Sequence, residues 1–154
     1  MPMFNRIEMN VIHMPGKIHI ISYQMLPVPT LPNATLTLLE TAFTDRLPGF
    51  AKSNDLRFFL REICNMDYIH VPELAPTKEI LDAFKKNKGD WHVYESDFLR
   101  LLTMRGVENS VSREIIENGC LLCSEHQPDF CHRRLVSEYL NEKWCAAFQI
   151  NHLY

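Results

Sequence analysis

The sequence predicts an α/β fold of three layers, in which a small, mostly parallel sheet is flanked by helices. Short segments rich in β-branched residues alternate along the chain with longer amphipathic segments, and this alternation is typical of a parallel sheet with helices on its faces. The chain has 154 residues, the length of one ordinary domain, so we predict that residues 1–154 form a single domain. Hydrophobic residues make up 46% and charged residues 23%, as expected of a globular domain that needs no disulfide to fold.

The predicted elements begin with a strand in the first third of the chain. The segment "KIHIISY" (Lys17–Tyr23) is rich in β-branched residues, which favour strands. Three prolines mark the following "MLPVPTLPN" as an extended loop, and we interpret "ATLTLLETAF" as a short helix rather than a strand. "SNDLRFFLREICN" opens with a capping signal and has apolar residues at helical spacing. "DYIHVPEL" is typical of a strand that ends before Pro72.

The sequence pattern of the second half of the chain predicts three helices, then a strand, a further helix and a last strand. "APTKEILDAFKKNKGD" has a proline near its first turn, lysines in its last turn and Gly89 behind it. "WHVYESDFLRLLTMRG" carries an apolar stripe and ends at Gly106, and "SVSREIIEN" predicts a short helix. "GCLLCSE" is typical of a strand buried on both faces, "CHRRLVSEYLNEK" predicts a helix, and "CAAFQINHL" predicts a final strand.

Charge and cysteine content limit the classes of function. The 16 Lys and Arg residues against 19 Asp and Glu residues give a formal net charge of −3, which argues against a strong nucleic-acid field over the whole surface. The chain has five cysteines and no run of about 18 apolar residues, and we expect no signal peptide. We therefore expect a cytoplasmic protein with no disulfide framework and no membrane partner.

The segment Cys120–Leu140, "CLLCSEHQPDFCHRRLVSEYL", concentrates the side chains that carry chemistry. Its thiols and imidazoles are numerous enough for a tetrahedral zinc site. Residues three apart in a strand point to opposite faces, however, so Cys120 and Cys123 do not chelate one ion if "GCLLC" is a strand. We therefore predict no metal and no cofactor. The alternative zinc site would use a second set of ligands: Cys123, His126, Cys131 and His132.

A strand-to-helix junction inside this segment predicts an anion site. If "GCLLC" is a strand, Cys123 and Glu125 lie at its carboxyl end, where open α/β sheets bind ligands. "CHRR" then opens a helix, whose N-terminal N–H groups and dipole attract anions. Arg133 offers a fork for a phosphate or carboxylate, and the helix start favours the thiolate of Cys131. Glu125 can accept a proton.

Structural roles compete with these functional ones. Asp129 is a candidate N-cap of the helix that follows it. Arg133 can pair with Glu125 inside the fold, and Arg134 can be a solvated surface charge. We interpret His126 as structural. The remaining thiols suit small buried apolar positions: Cys64, Cys120 and Cys145.

These residues carry a resemblance to a known family. "LLCSEHQPDFCHRRLVSEYL" resembles the signature of the bacterial and archaeal domain of unknown function 488 family, in which Leu-Leu-Cys-x-Glu is followed by a short loop and by Cys-His-Arg at a helix start. "LPGFAKSNDLRFFL" and "YIHVPELAPTKEILDAFK" are also similar to the family, so the resemblance covers residues 47–154. It implies a fold, a cleft and a set of site residues, and no established substrate.

Residues 1–46 diverge from the family pattern. The family's first strand ends in a turn with glycine, and its second strand ends in Asp-Val-Arg; both features are absent here. Glu40, Asp45 and Arg46 are the residues that stand where the second motif is expected. A diverged or inactive member is therefore one of the hypotheses.

We expect an enzyme of hydrolase or transferase type that acts on a phosphate-bearing or nucleotide-related ligand. Its predicted catalytic residues are Glu125, Cys131 and His132, and its predicted substrate-binding residues are Arg133, Cys123, Tyr68 and Arg46. One alternative is a non-catalytic module that binds a nucleotide or a nucleic acid, with stacking on aromatic rings such as Trp91. Another is a diverged interaction protein, in which Glu125 and Arg133 form a buried pair without a pocket.

Overall fold

The computed structural model describes residues 17–22, 37–40, 53–64, 66–117, 119–123, 128–145 and 148–152. Within these ranges it contains both strands and helices, so the predicted α/β class is confirmed. The strands are β1 (Lys17–Ser22), β2 (Thr37–Glu40), β3 (Asp67–His70), β4 (Gly119–Cys123) and β5 (Gln149–His152). The helices are α1 (Ser53–Cys64), α2 (Lys78–Lys85), α3 (Trp91–Arg105), α4 (Val107–Ser110), α5 (Arg113–Glu117) and α6 (His132–Lys143).

The described strands pair in parallel in the order β3-β2-β4-β1-β5, which makes β4 the central strand. The register aligns residues into rows across the sheet. One row joins Tyr68, Leu38, Cys120, His19 and Asn151, and the next row has Ile20 beside His152. Ser22 and Cys123 are paired nearest the carboxyl edge. The carboxyl ends of β1, β4 and β5 therefore meet at one edge, beside each other.

One segment predicted to be helical is a strand. Thr37–Glu40, inside "ATLTLLETAF", forms β2 between β3 and β4. Leucine and glutamate favour helices locally, but a strand with partners on both sides has its backbone hydrogen bonds supplied by its neighbours. The tertiary pairing therefore overrides the local preference, and the helix prediction was wrong.

The other described elements agree with the predictions in type and differ in detail. Residues 107–117 hold two short helices, α4 and α5, where one was predicted. Thr77 is the N-cap of α2 and its hydroxyl accepts a hydrogen bond from the Ile80 N–H, so Pro76 precedes the first turn. Gly89 closes this helix as predicted, since its N–H donates to the carbonyls of Ala83 and Phe84. A Cβ at Gly89 would lie 2.6 Å from the Ala83 oxygen, so the backbone approach requires glycine.

The main core lies where α3, α5 and α6 pack with β4. Its fully buried members include Phe98, Leu102, Ile116, Leu121 and Val136. Helices α5 and α6 contact β1 and β4, and α1 contacts β3. These contacts fix the start of α6 against the middle of the sheet. The covering of both sheet faces by helices, which a three-layer arrangement requires, stays a prediction, as does the extent of the single domain.

Candidate functional site

The start of α6 is set by Cys131. Residues 128–130 form a turn, in which the Cys131 N–H donates to the Pro128 carbonyl at 3.2 Å. Cys131 then has the extended conformation of an N-cap, with φ −121° and ψ 129°, and its side chain makes no capping hydrogen bond. The structural role proposed for Asp129 as the N-cap was therefore wrong, because the turn leaves it two residues before the cap.

Cys131 and Arg133 form a buried pair at this helix start. The Arg133 Nε donates a hydrogen bond to the Cys131 Sγ at 2.9 Å. Cys131 is fully buried and Arg133 is only 2% exposed, although it is the largest of the fully buried side chains. A guanidinium removed from water destabilises a fold unless polar or anionic groups surround it. The first turn of α6 therefore places a buried positive charge at a helix N-terminus.

His132 points toward the core. It is 9% exposed, and its ring lies edge-on to Phe98 of α3, with the ring centroids 6.1 Å apart. This contact is aromatic packing between α6 and α3. The catalytic role predicted for His132 stays a prediction. The position of the ring against Phe98 also supports a structural role.

Arg134 takes the structural role that was weighed for it. Its guanidinium forms ion pairs with Glu138 in the next turn at 3.0 Å and with Glu95 of α3 at 3.5 Å. It also lies over the Trp91 ring, 5.9 Å from the centroid. The two adjacent arginines therefore differ: Arg134 ties α6 to α3 at the surface, and Arg133 is buried at the helix start.

His152 is a residue that sequence reasoning missed. It is the last residue of β5, next to Ile20 of β1, and its buried Nδ1 has no hydrogen-bond partner in the part of the chain that the structure describes. Burial lowers the pKa of the imidazole. The charges of α6 and its preceding turn also act on it, since Arg133 and Arg134 lower the pKa while Glu138 and Asp129 raise it. His152 therefore lies within electrostatic reach of the charges at the start of α6.

Cys120 is a second thiol near this charge. It is 1% exposed in the central strand, and burial raises the pKa of its thiol to about 12, with the charge of Arg133 acting in the opposite direction. Cys120 is thus a protonated, apolar core residue, as predicted. Cys145 is different, because it is exposed and has φ 64°, so its prediction as a buried residue was wrong. It follows α6 at the position where the chain turns, and that turn brings it to the surface.

The model of the family described as Domain of unknown function DUF488 matches residues 41–140. These are 100 of the 154 residues, and they include the start of α6. The chain belongs to this family. No curated protein and no solved structure matches it. The matched region begins six residues before Leu47, where the resemblance was expected to start, and ends before His152.

Several predicted site residues of this DUF488 protein fall outside what the structure describes. Glu125, His126 and Arg46 lie outside the described residues, and Cys123 is described only as the last residue of β4. Among the described residues, no three His, Cys, Asp or Glu side chains converge as a metal ion would require. The second zinc arrangement depends on His126, so it stays a prediction.

Tyr68 is separated from the α6 start. It lies on the edge strand β3, in the same row as Cys120 and two strands away from it. Adjacent strands are about 4.8 Å apart, so roughly 10 Å of sheet lies between them. Tyr68 is 5% exposed, and its hydroxyl is buried without a partner among the described residues. The structure therefore does not bring Tyr68 to the Cys131–Arg133 pair.

Trp91, which was considered as a stacking surface for nucleic acid, is engaged within the fold. It stacks on the buried Tyr94, with the ring centroids 5.0 Å apart. Nucleic acid as a partner stays a prediction. In the described part of the chain, no helix combines the length and the apolar character needed to cross a bilayer.

Proposed function

We propose that this protein is an enzyme of hydrolase or transferase type that acts on a phosphate-bearing, nucleotide-related small molecule at the start of α6. The observation that carries the proposal is the burial of the Arg133 guanidinium, with Nε on the Cys131 Sγ, in the first turn of α6. Helix N-termini bind anions, and a buried guanidinium strengthens that preference because the surroundings screen its charge poorly.

The position of this pair within the sheet supports the same proposal. Ligands of open α/β proteins bind outside the carboxyl ends of strands, and the ends of β1, β4 and β5 meet at one edge. Parallel sheets are normally covered on both faces, so we also propose the three-layer arrangement, with the ligand at this edge between the layers. Glu125 would follow β4 at the same edge.

His152 supports an enzyme over a binding module. Its buried Nδ1 has no hydrogen-bond partner among the described residues, and burial lowers its pKa, which favours the neutral form that accepts a proton. We assign it the role of general base, with Arg133 holding the phosphate. Cys131 is the candidate nucleophile, since a guanidinium donor favours the thiolate form of the sulfur that it contacts.

The binding part of the proposal is tested by calorimetry with inorganic phosphate and a panel of nucleoside monophosphates. We expect at least one of these ligands to bind the wild type. Arg133→Met should weaken that binding about 10- to 150-fold, because a hydrogen bond to a charged group contributes about 1.5–3 kcal/mol. Arg134→Met is the matched control and should bind as the wild type does. Binding that survives Arg133→Met unchanged would refute the role of this arginine.

The catalytic part is tested by phosphorus NMR of any ligand that binds. His152→Gln should slow turnover while the affinity remains. His92→Gln is the matched control, since His92 is an exposed imidazole on α3. If the ligand binds and the wild type leaves it intact, the protein is a binding module and the enzyme proposal fails.

A specific observation favours a second candidate, a diverged interaction protein. Cys131 and Arg133 are hydrogen-bonded to each other and are both buried, as members of a structural cluster would be. In that case no ligand of the panel binds, and Arg133→Met loses stability instead of affinity.

A further inference from the structure

A surface depression lies between α1 and the edge strand β3. Its volume is about 380 Å3, which falls within the roughly 300–1,000 Å3 range of small-molecule pockets. We call it the α1–β3 pocket, and it is lined by Arg57, Arg61, Met66, Asp67, Tyr68 and Ile69. Tyr68 is two strands away from the central strand β4, so this pocket is separate from the start of α6.

The pocket has one uncompensated positive charge. Arg61 forms an ion pair with Asp67, and these two charges cancel. Arg57 has no carboxylate partner within the described part of the chain. Its guanidinium instead lies over the Tyr68 ring, 5.8 Å from the centroid. Because its side chain is exposed, Arg57 can turn from the ring to a ligand at little cost.

Tyr68 adds a hydroxyl that lacks a partner. The residue is 5% exposed, and its buried Oη makes no hydrogen bond among the described residues. Leaving such a group unsatisfied destabilises the folded state. The Arg57 guanidinium lies over the ring of the same residue, so the charge and the hydroxyl belong to one wall of the pocket. A ligand atom that accepts from this hydroxyl would satisfy it.

We propose that the α1–β3 pocket binds a small organic monocarboxylate with an apolar body. A net charge of one matches a monoanion better than a phosphate dianion, and the planar guanidinium fork of Arg57 matches the two carboxylate oxygens. Tyr68 Oη donates a further hydrogen bond to one of these oxygens. The Tyr68 ring, Met66 and Ile69 provide the apolar wall for the rest of the ligand.

The test is a titration of labelled protein with benzoate, followed by amide NMR, with benzamide as the uncharged probe of the same shape. Benzoate should produce saturable shifts at residues 66–69, and benzamide should not. Arg57→Gln should weaken benzoate binding about tenfold or more, and Tyr68→Phe about threefold to tenfold. Arg100→Gln is the matched control, because Arg100 is an exposed helical arginine paired with Asp97. It should bind benzoate as the wild type does.

Three results would overturn the proposal: equal shifts with benzamide, no shifts at residues 66–69, or unchanged affinity in Arg57→Gln. Far-ultraviolet circular dichroism of each variant checks that it is folded, which is expected because Arg57 is exposed. The proposal is independent of the function proposed for the start of α6. Arg133→Met should keep benzoate binding, and Arg57→Gln should keep phosphate binding, so failure at one site is distinguishable from failure at the other.

Discussion

Replacement of Arg133 by methionine separates a functional arginine from a structural one. Methionine has a similar length and no charge, and the position is 2% exposed, so the apolar side chain fills the same buried space. If the guanidinium is buried to bind a ligand, the empty fold gains little from it. If the guanidinium stabilises the fold, its removal lowers the free energy of unfolding strongly.

The magnitude follows from two opposing contributions. The variant loses the hydrogen bond from Nε to the Cys131 Sγ, and such bonds to charged groups contribute about 1.5–3 kcal/mol. It also no longer removes a guanidinium from water, and that penalty amounts to several kcal/mol per buried ion. If Arg133 is buried for a ligand, we expect the free energy of unfolding to stay within about 1 kcal/mol of the wild-type value or to rise. Loss of one member of a structural buried pair would instead destabilise by about 3–5 kcal/mol.

Urea denaturation followed by circular dichroism measures this difference. The Arg134→Met variant is the matched control on the same helix, where loss of partly exposed ion pairs should cost about 1 kcal/mol or less. A fall of 3 kcal/mol or more in the free energy of unfolding of Arg133→Met would refute the reasoning and favour the interaction-protein hypothesis. The two proteins must show the same denaturant slope, so that their unfolded states are comparable.

Three further predictions concern other described residues. The pKa of His152 is lowered in the folded protein, so the unfolded chain binds its proton more readily. The stabilisation should be complete above the unfolded pKa of about 6.5 and be lost as the pH falls through the folded pKa. Urea titrations at several pH values should show a weaker fall in His152→Gln. Cys145→Gly should raise the free energy of unfolding by about 0.5–1 kcal/mol, because an exposed residue at φ 64° suits glycine. Thermal melts of both variants should show no such gain in Cys145→Ala. In the folded protein at pH 8, a thiol reagent followed by mass spectrometry should modify Cys145 before Cys120. Early reaction of Cys120, whose pKa is about 12, would contradict its burial.

The sequence predicted those elements whose signals are local. Gly106 ends α3 at φ 58°, where the sequence predicted the end of this helix. Asp90, which was not singled out in the sequence, caps α3 by accepting from the N–H groups of His92 and Val93. The strand β2 was not predictable in this way. Its strand character depends on pairing with β3 and β4, which are distant in the chain, so helix-favouring residues gave the wrong type.

The residues of the candidate site also differ in whether local sequence signals predict their positions. The position of Cys131 and Arg133 at a helix start was predictable, because that helix follows a buried strand. The position of His152 was not, since nothing near it in sequence indicates that β5 pairs with β1 or that charges on α6 affect its pKa. That position follows from the sheet order, which places β5 beside β1.

The different surroundings of the adjacent residues Arg133 and Arg134 favour a ligand at the start of α6. Arg134 already supplies the surface ion pairs that join α6 to α3, so a second arginine is not needed for that purpose. Arg133 is buried beside a thiol in a turn whose backbone and dipole also attract anions. If an apolar residue there folds at least as well, Arg133 is a position that sacrifices stability, which is typical of sites built for function. The preference for a ligand site over a structural pair therefore depends on the energy of one buried charge, which the Arg133→Met measurement determines directly.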